Sequence, residues 1–225
     1  MKWKKLIILG DSNTQYGFGE DSKWVSYLSN SLQRKCDIIN RGFSGYNTDN
    51  IKSFLPDILQ DFDADSVCGV ILMLGSNDST KSSNKIQHVP LERFKANLHY
   101  IIDYLIEFFN SREKIILISP PRICDSKWRE ISLEKFEECT HSDSLVVNYA
   151  HISIEVAKEK NISFLDLNKL MHDYGEKFEE LLVDGLHFSP KGGQFLFENL
   201  LPLFNKQIGD NLKFQLPYWR DIAPN

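Results

Sequence analysis

The sequence lacks the features that mark several protein classes. It has only four cysteines in 225 residues, with no CxxC spacing, so a disulfide framework is not predicted. No apolar run approaches the roughly 20 residues that a membrane-spanning helix requires. The apolar run after the basic amino terminus is too short for a signal peptide, so a cytoplasmic location is expected.

An excess of positive charge is also missing. Lys and Arg total 26 against 31 Asp and Glu, which gives a net charge of −5. Binding to nucleic acid needs clustered cations that neutralise phosphates, so no nucleic-acid partner is expected. Hydrophobic residues make up 42% and charged residues 25%, close to the average of soluble globular proteins, which excludes a disordered chain.

Motifs for metals and cofactors are absent from the sequence. It contains no HExxH motif and no Cys/His cluster with zinc spacing. The segment Asp61–Asp65 imitates the start of a calcium loop, but Ser66 stands where that loop needs glycine. Gly17-Phe18-Gly19 lacks the third glycine of a dinucleotide-binding fingerprint. The expectation is therefore no metal and no cofactor.

Short apolar runs alternate with longer segments of helical period. Strands are predicted at Lys4–Gly10, Cys36–Asn40, Val67–Leu74, Lys114–Ser119 and Ile162–Leu165. Helices are predicted at Trp24–Leu32, Phe94–Phe109, Leu145–Lys160 and Ser189–Asn205. This alternation predicts an α/β fold, a five-stranded parallel sheet between two helical layers. The rule for doubly wound sheets gives the flavodoxin-like strand order 2-1-3-4-5.

The chain is predicted to be one domain spanning residues 1–225. It contains no internal repeat, no low-complexity tract and no linker rich in Pro or Gly. Its last part, Ile208–Asn225, breaks the alternating pattern and carries several aromatic residues. We expect an extended tail that packs on the body or on a second subunit, so this tail is a candidate surface for a homodimer.

Polar, glycine-containing segments occur where the predicted strands end. In open α/β sheets, ligands bind at the carboxyl ends of the strands, where the winding direction reverses. A hydroxyl, an amide, a glycine and an Asp/His pair in these segments are the parts of an acyl-transfer site. The four segments are Gly10-Asp11-Ser12-Asn13-Thr14, Asn40–Thr48, Gly75-Ser76-Asn77-Asp78 and Asp184-Gly185-Leu186-His187.

Through these four blocks, the sequence resembles GDSL-type esterases of the SGNH hydrolase superfamily. Within it, the sequence is most similar to the isoamyl acetate-hydrolysing esterase group. One departure is Asn13, which stands where the name motif of the family has leucine. The resemblance implies a three-layer α/β/α fold and small acyl groups, acetyl above all. It also implies three oxyanion-hole donors: the backbone N–H groups of Ser12 and Gly45, and the side-chain amide of Asn77.

The residue types fit a serine nucleophile with a base. Ser12 follows a strand that ends in Gly-Asp, and its hydroxyl becomes a good nucleophile only when a base accepts its proton. His187 is the candidate base, and Asp184 can accept a hydrogen bond from its other ring nitrogen. Ser44 lies in a segment like a nucleophile elbow, but that motif needs glycine where Tyr46 stands. We therefore interpret Ser44 as a turn residue.

The predicted function is a serine esterase that cleaves a small carboxylic ester through an acyl-enzyme. The same site could serve a carbohydrate deacetylase, a lysophospholipase or thioesterase, or an acyltransferase, and a non-catalytic binding module is a further alternative. Specificity is expected in three long loops, Tyr16–Lys23, Ser79–Val89 and Cys124–Thr140. The second is expected to form a mobile rim. In the third, Trp128 is expected to line an acyl or alcohol pocket.

Overall fold

A computed structural model describes residues 3–136 and 138–222, and its centre is a parallel sheet. The strand order is β2-β1-β3-β4-β5, so the predicted α/β class and strand order are confirmed. The strands are β1 (Lys5–Gly10), β2 (Asp37–Gly42), β3 (Val67–Met73), β4 (Ile115–Ile118) and β5 (Ser163–Leu165).

Helices cover both faces of the sheet. None of the helices in the described ranges is long and apolar enough to cross a membrane. The α-helices are α1 (Ser12–Gln15), α2 (Trp24–Ser31), α3 (Thr48–Leu59), α4 (Leu91–Phe109), α5 (Asp125–Phe136), α6 (Asp143–Glu159), α7 (Leu167–Asp173) and α8 (Pro190–Gln207).

Alternating strand side chains produce two cores. In β1, Ile7 and Leu9 face α3, α4 and α6, whereas Leu6 and Ile8 face α2, α7 and α8. Because successive side chains of a strand point to opposite faces, a strand covered on both sides must be apolar throughout. This is why the predicted strands read as continuous apolar runs in the sequence.

The edge strand β2 extends further than predicted. The prediction ended it at Asn40, but it runs to Gly42, where it pairs with Gly10 of β1. Its residues are only partly buried because it pairs on one side only. Polar residues such as Arg41 are therefore tolerated within it. A search for apolar runs consequently ends the strand too early.

The prediction of a loop at Cys124–Thr140 is wrong for most of that segment. Asp125–Phe136 forms α5, and among its residues only Trp128 and Ser132 are buried. A helix with so little buried surface has no apolar stripe by which the sequence could reveal it. Glu137, which belongs to the same predicted loop, lies outside the described residues.

The carboxyl-terminal segment folds back onto the end of α2. The backbone N–H of Gln215 donates to the carbonyl of Arg34 at 2.9 Å. The Arg34 guanidinium donates to the carbonyls of Leu216 and Pro217, at 3.0 and 2.9 Å, and lies 4.7 Å from the ring centre of Phe214. Arg34 thus anchors the segment, while residues 223–225 lie outside the described ranges. A single domain over residues 1–225 stays a prediction.

Candidate active site

Ser12 lies at the start of the single-turn helix α1, directly after β1. Asp11 caps this helix, because its side chain accepts a hydrogen bond from the Asn13 N–H at 3.0 Å. A Cβ atom at Gly10 would lie 2.4 Å from the carbonyl oxygen of Met73 in β3. Only glycine fits this closely packed strand end. The turn that follows it places Ser12, which is largely buried, at the carboxyl edge of the sheet.

His187 and Asp184 lie in one tight turn before α8. Asp184 Oδ1 accepts the backbone N–H groups of Leu186 and His187, at 2.9 and 2.7 Å. Asp184 Oδ2 lies 2.6 Å from His187 Nδ1. Gly185 has a φ of +95°, and a Cβ there would lie 2.5 Å from the Trp128 backbone nitrogen. The turn therefore requires glycine at 185 and fixes the carboxylate against the imidazole.

The structure brings Ser12, His187 and Asp184 together. His187 Nε2 lies 2.9 Å from Ser12 Oγ, so a continuous chain of hydrogen bonds runs from the carboxylate to the hydroxyl. Burial works to raise the pKa of Asp184, but its hydrogen bonds and its attraction to His187 lower the pKa below the usual range. An ionised Asp184 is the form that holds the Nδ1–H of the imidazole.

Asn13 is a positioning contact that sequence reasoning missed. Its buried side-chain amide donates to the carbonyl of Leu186 at 3.3 Å and accepts from the N–H of Phe188 at 3.2 Å. Both peptide groups that flank His187 are therefore fastened to the residue beside Ser12. The only signal in the sequence was a polar residue where the family has leucine.

The three predicted oxyanion donors come from three loops at this edge. Gly75 has a φ of +124° and turns the chain out of β3 toward Asn77, whose Nδ2 donates to the Tyr46 carbonyl at 2.8 Å. Gly45 also has a positive φ, +82°, which favours glycine there. Within residues 3–136 and 138–222, the backbone N–H groups of Ser12 and Gly45 have no acceptor. That they donate to a substrate oxygen stays a prediction.

Two aromatic rings lie against the His187 ring. Tyr16, which is half exposed, and Trp128, which is buried, each lie 6.0 Å from it in edge-to-face orientation. Trp128 also contacts His141, whose pKa is lowered to about 4 by burial and by the nearby His187. His141 is therefore neutral near pH 7, when it adds no charge beside the candidate base. That Trp128 lines an acyl or alcohol pocket stays a prediction.

The segment Ser79–Val89 is fastened to neighbouring parts of the chain. The N–H of Lys81 donates to the carbonyl of Thr140 at 2.8 Å, and the N–H of Val89 donates to the carbonyl of Asp78 at 3.1 Å. Asn84 and Gln87, within the segment, bond to each other through their side-chain amides at 2.9 Å. Sequence reasoning assigned none of these contacts, and a mobile rim stays a prediction.

No metal centre is evident in the part of the chain that the structure describes. Its residues contain no group of three or more His, Cys, Asp or Glu side chains that could hold a metal ion. The calcium-like segment Asp61–Asp65 forms a turn before β3, with Asp61, Asp63 and Asp65 exposed.

Asp78, next to Asn77, is fully buried and carries an unusual carboxyl group. Its Oδ1 accepts the N–H of Thr48 at 2.9 Å and also the Thr48 hydroxyl, whereas its Oδ2 has no hydrogen-bond partner among the described residues. Burial raises the pKa of Asp78 to about 7, from a usual value near 3.8. Between about pH 3.8 and pH 7, Asp78 is protonated in the folded state but ionised in the unfolded state. The free energy of unfolding therefore falls as the pH rises through this range.

We expect Asp78→Asn to remove this loss. From about pH 4 to about pH 8, the stability of the variant relative to the wild type should rise by about 4 kcal/mol, at roughly 1.4 kcal/mol per pKa unit. Urea unfolding at several pH values measures the difference, with the exposed Asp173→Asn as the control. A difference between variant and wild type that stays constant with pH would contradict the prediction.

Comparisons with known proteins agree with this geometry. Residues 8–195 match the model of the GDSL-like Lipase/Acylhydrolase family. An isoamyl acetate-hydrolyzing esterase 1 homolog from Bos taurus is 42% identical, over 98% of this chain and 89% of that protein. The Homo sapiens homolog is 40% identical over the same shares. The crystal structure of a lipase/acylhydrolase from Enterococcus faecalis shares the fold, with a TM-score of 0.73 and 21% identity, over 95% of this chain and 100% of that one.

The family match covers most of the chain, and the mammalian relatives align along almost all of it. An ester hydrolase is therefore favoured over the alternative of a non-catalytic binding module. The chain belongs to the GDSL-like lipase/acylhydrolase family and is a carboxylic ester hydrolase.

Proposed function

We propose that this chain hydrolyses short-chain carboxylic esters, acetates above all, through an acyl-enzyme on Ser12. One observation carries the proposal: His187 Nδ1 lies 2.6 Å from Asp184 Oδ2, which can accept its proton, and His187 Nε2 lies 2.9 Å from Ser12 Oγ, whose proton it can accept. The names of the mammalian relatives, which specify isoamyl acetate, support a small acyl group and a neutral alcohol.

In the first step, Ser12 Oγ attacks the ester carbonyl carbon while its proton moves to His187 Nε2. The carbonyl oxygen becomes an oxyanion in a tetrahedral intermediate. The intermediate collapses when its bond to the alcohol oxygen breaks and His187 delivers the proton to that oxygen. Asp184 keeps the Nδ1–H oriented and stabilises the imidazolium, and the alcohol leaves an acylated Ser12 behind.

In the second step, water replaces the alcohol. His187 Nε2 takes a proton from water, and the water oxygen attacks the acyl carbon to form a second tetrahedral intermediate. The bond to Ser12 Oγ then breaks, and His187 returns the proton to that oxygen. The products are the carboxylic acid and the free enzyme. An alcohol that attacked in place of water would make the chain an acyltransferase.

Three donors would stabilise the oxyanion in both steps. The N–H groups of Ser12 and Gly45 would donate from the backbone, and Asn77 would donate its second Nδ2 hydrogen, since the first bonds to the Tyr46 carbonyl. Losing one such donor lowers kcat about 10²–10³-fold in serine hydrolases, so these groups form part of the proposed machinery.

A fluorophosphonate probe tests the proposed nucleophile. We expect one probe molecule per chain, which peptide mass spectrometry locates on Ser12, and no labelling of Ser12→Ala. Labelling of another serine, or no labelling at all, would contradict the proposal. An ester panel with and without an acceptor alcohol then compares acetyl esters with longer acyl esters, acetylated sugars, lysophospholipids and thioesters. Fastest turnover of small acetates, with free acid as the product, is expected.

A further inference from the structure

The donor that Asn77 offers depends on the direction of its amide. The two ends of an asparagine amide have nearly the same shape, so neighbouring hydrogen bonds decide which end faces the substrate. Here Nδ2 donates one hydrogen to the Tyr46 carbonyl at 2.8 Å, which leaves its other hydrogen available. Oδ1 accepts from Gln87 Nε2 at 3.1 Å. The pair of contacts selects the direction that presents a donor.

Gln87 contacts two of the proposed oxyanion-hole residues with one group. Besides bonding to Asn77 Oδ1, its Nε2 donates to the carbonyl of Gly45 at 3.2 Å. An amide nitrogen carries two hydrogens, so both bonds can form together. Gln87 therefore joins the Asn77 side chain, in the loop after β3, to the carbonyl of Gly45, in the loop after β2.

The direction of Gln87 is itself fixed. Its Oε1 accepts from Asn84 Nδ2 at 2.9 Å, which leaves Nε2 to face Asn77 and Gly45. Its backbone N–H donates to Asn84 Oδ1 at 3.1 Å, and its carbonyl accepts from Asn47 Nδ2 at 2.9 Å. Both ends of the side chain and both backbone groups are thus satisfied. A half-buried glutamine with four such partners holds a defined orientation.

We propose that Gln87 is a positioning residue that sets the donor direction of the oxyanion hole. It holds the Asn77 amide with Nδ2 toward the substrate oxygen, and it also holds the Gly45 carbonyl by a hydrogen bond. The inference deepens the proposed function and rests on it, because it needs an oxyanion to stabilise. Gln87 makes no hydrogen bond to Ser12 or His187 in the described structure, so it is given no role in proton transfer.

Gln87→Glu is the sharpest variant, since it keeps the shape and replaces the donor by a carboxylate oxygen. That oxygen would face Asn77 Oδ1 and the Gly45 carbonyl, and repulsion would turn the Asn77 amide so that it presents an acceptor to the oxyanion. We expect kcat for p-nitrophenyl acetate to fall about 10–100-fold, with KM within about twofold of the wild type. Gln87→Met introduces a side chain that cannot donate a hydrogen bond, and its kcat should be about threefold to tenfold below that of the wild type.

Two controls separate positioning from a general loss of structure. Ile86→Ala changes the neighbouring side chain, which is 87% exposed, and should leave kcat and the melting temperature unchanged. In an Asn77→Ala background, Gln87→Glu should lower kcat by only about threefold or less, because the amide it would turn is gone. This strong coupling between two positions is not expected from a merely structural role.

The outcomes distinguish the two proposals. Wild-type kcat in both Gln87 variants, or an equal loss with and without Asn77, would overturn the positioning role while a labelled, active Ser12 leaves the proposed function standing. A raised KM with unchanged kcat would also overturn it. A wild-type protein that neither labels at Ser12 nor hydrolyses any ester would overturn both.

Discussion

Replacing Ser12 by alanine is expected to lower kcat for p-nitrophenyl acetate by about 10⁴–10⁶-fold. The variant keeps the donors of the oxyanion hole and the His187–Asp184 pair, but it has no oxygen to form the acyl-enzyme. Any remaining turnover must come from direct attack by water, which the same site assists only weakly. Stopped-flow and steady-state measurements of nitrophenolate release provide the test, and the initial burst expected of the wild type should disappear.

Ser44→Ala is the matched control for this prediction. Ser44 lies in the turn that resembles a nucleophile elbow, and its Oγ lies 3.4 Å from the Tyr16 hydroxyl rather than beside a histidine. The Ser44 side chain is exposed and alanine keeps the peptide group that it shares with Gly45, so the variant should retain kcat within about threefold of the wild type. Loss of turnover in Ser44→Ala together with normal turnover in Ser12→Ala would show that the nucleophile is Ser44 and not Ser12.

Asp184→Asn is expected to lower kcat by about 10⁴-fold near neutral pH. The amide oxygen of the introduced asparagine can still accept the N–H groups of Leu186 and His187, so the turn should persist. The amide nitrogen would then face His187 Nδ1 and donate to it. The imidazole proton would shift to Nε2, which could no longer accept the proton of Ser12. The geometry would survive while the base is lost.

The activity and folding of this variant give the decisive comparison. We expect a melting temperature close to that of the wild type and a fluorophosphonate labelling rate that falls in parallel with kcat. The exposed Asp173→Asn should change neither quantity. A kcat within tenfold of the wild type in folded Asp184→Asn would show that Asp184 does not orient His187.

Much of the fold was predictable because its chemistry is local. Each buried strand must be apolar on both faces, so β1 and β3 stand out as runs that end at glycine or just before it. The strand order then follows from the rule for doubly wound sheets. The candidate site was predictable because turns such as Gly10–Ser12 and Asp184–His187 carry their functional residues in short motifs.

Contacts between distant segments were not predictable from one sequence. Asn13 reads as an ordinary polar residue until the fold places it against the peptide groups on either side of His187. Gln87 lies in a polar loop with no pattern, and its partners Gly45, Asn47 and Asn77 come from two other segments. The helix α5 was missed for a different reason, because it buries too little surface to impose a period on its residues.

The hydrogen bond between His187 and Ser12 joins positions that are 175 residues apart. A ribosome that is making this chain adds the proposed base, His187, 175 residues after the proposed nucleophile, Ser12. Until then, the growing polypeptide has a serine without a proton acceptor and cannot cleave esters by this route. Hydrolysis by the proposed route therefore cannot begin before the turn at His187 has been made and has packed against Ser12.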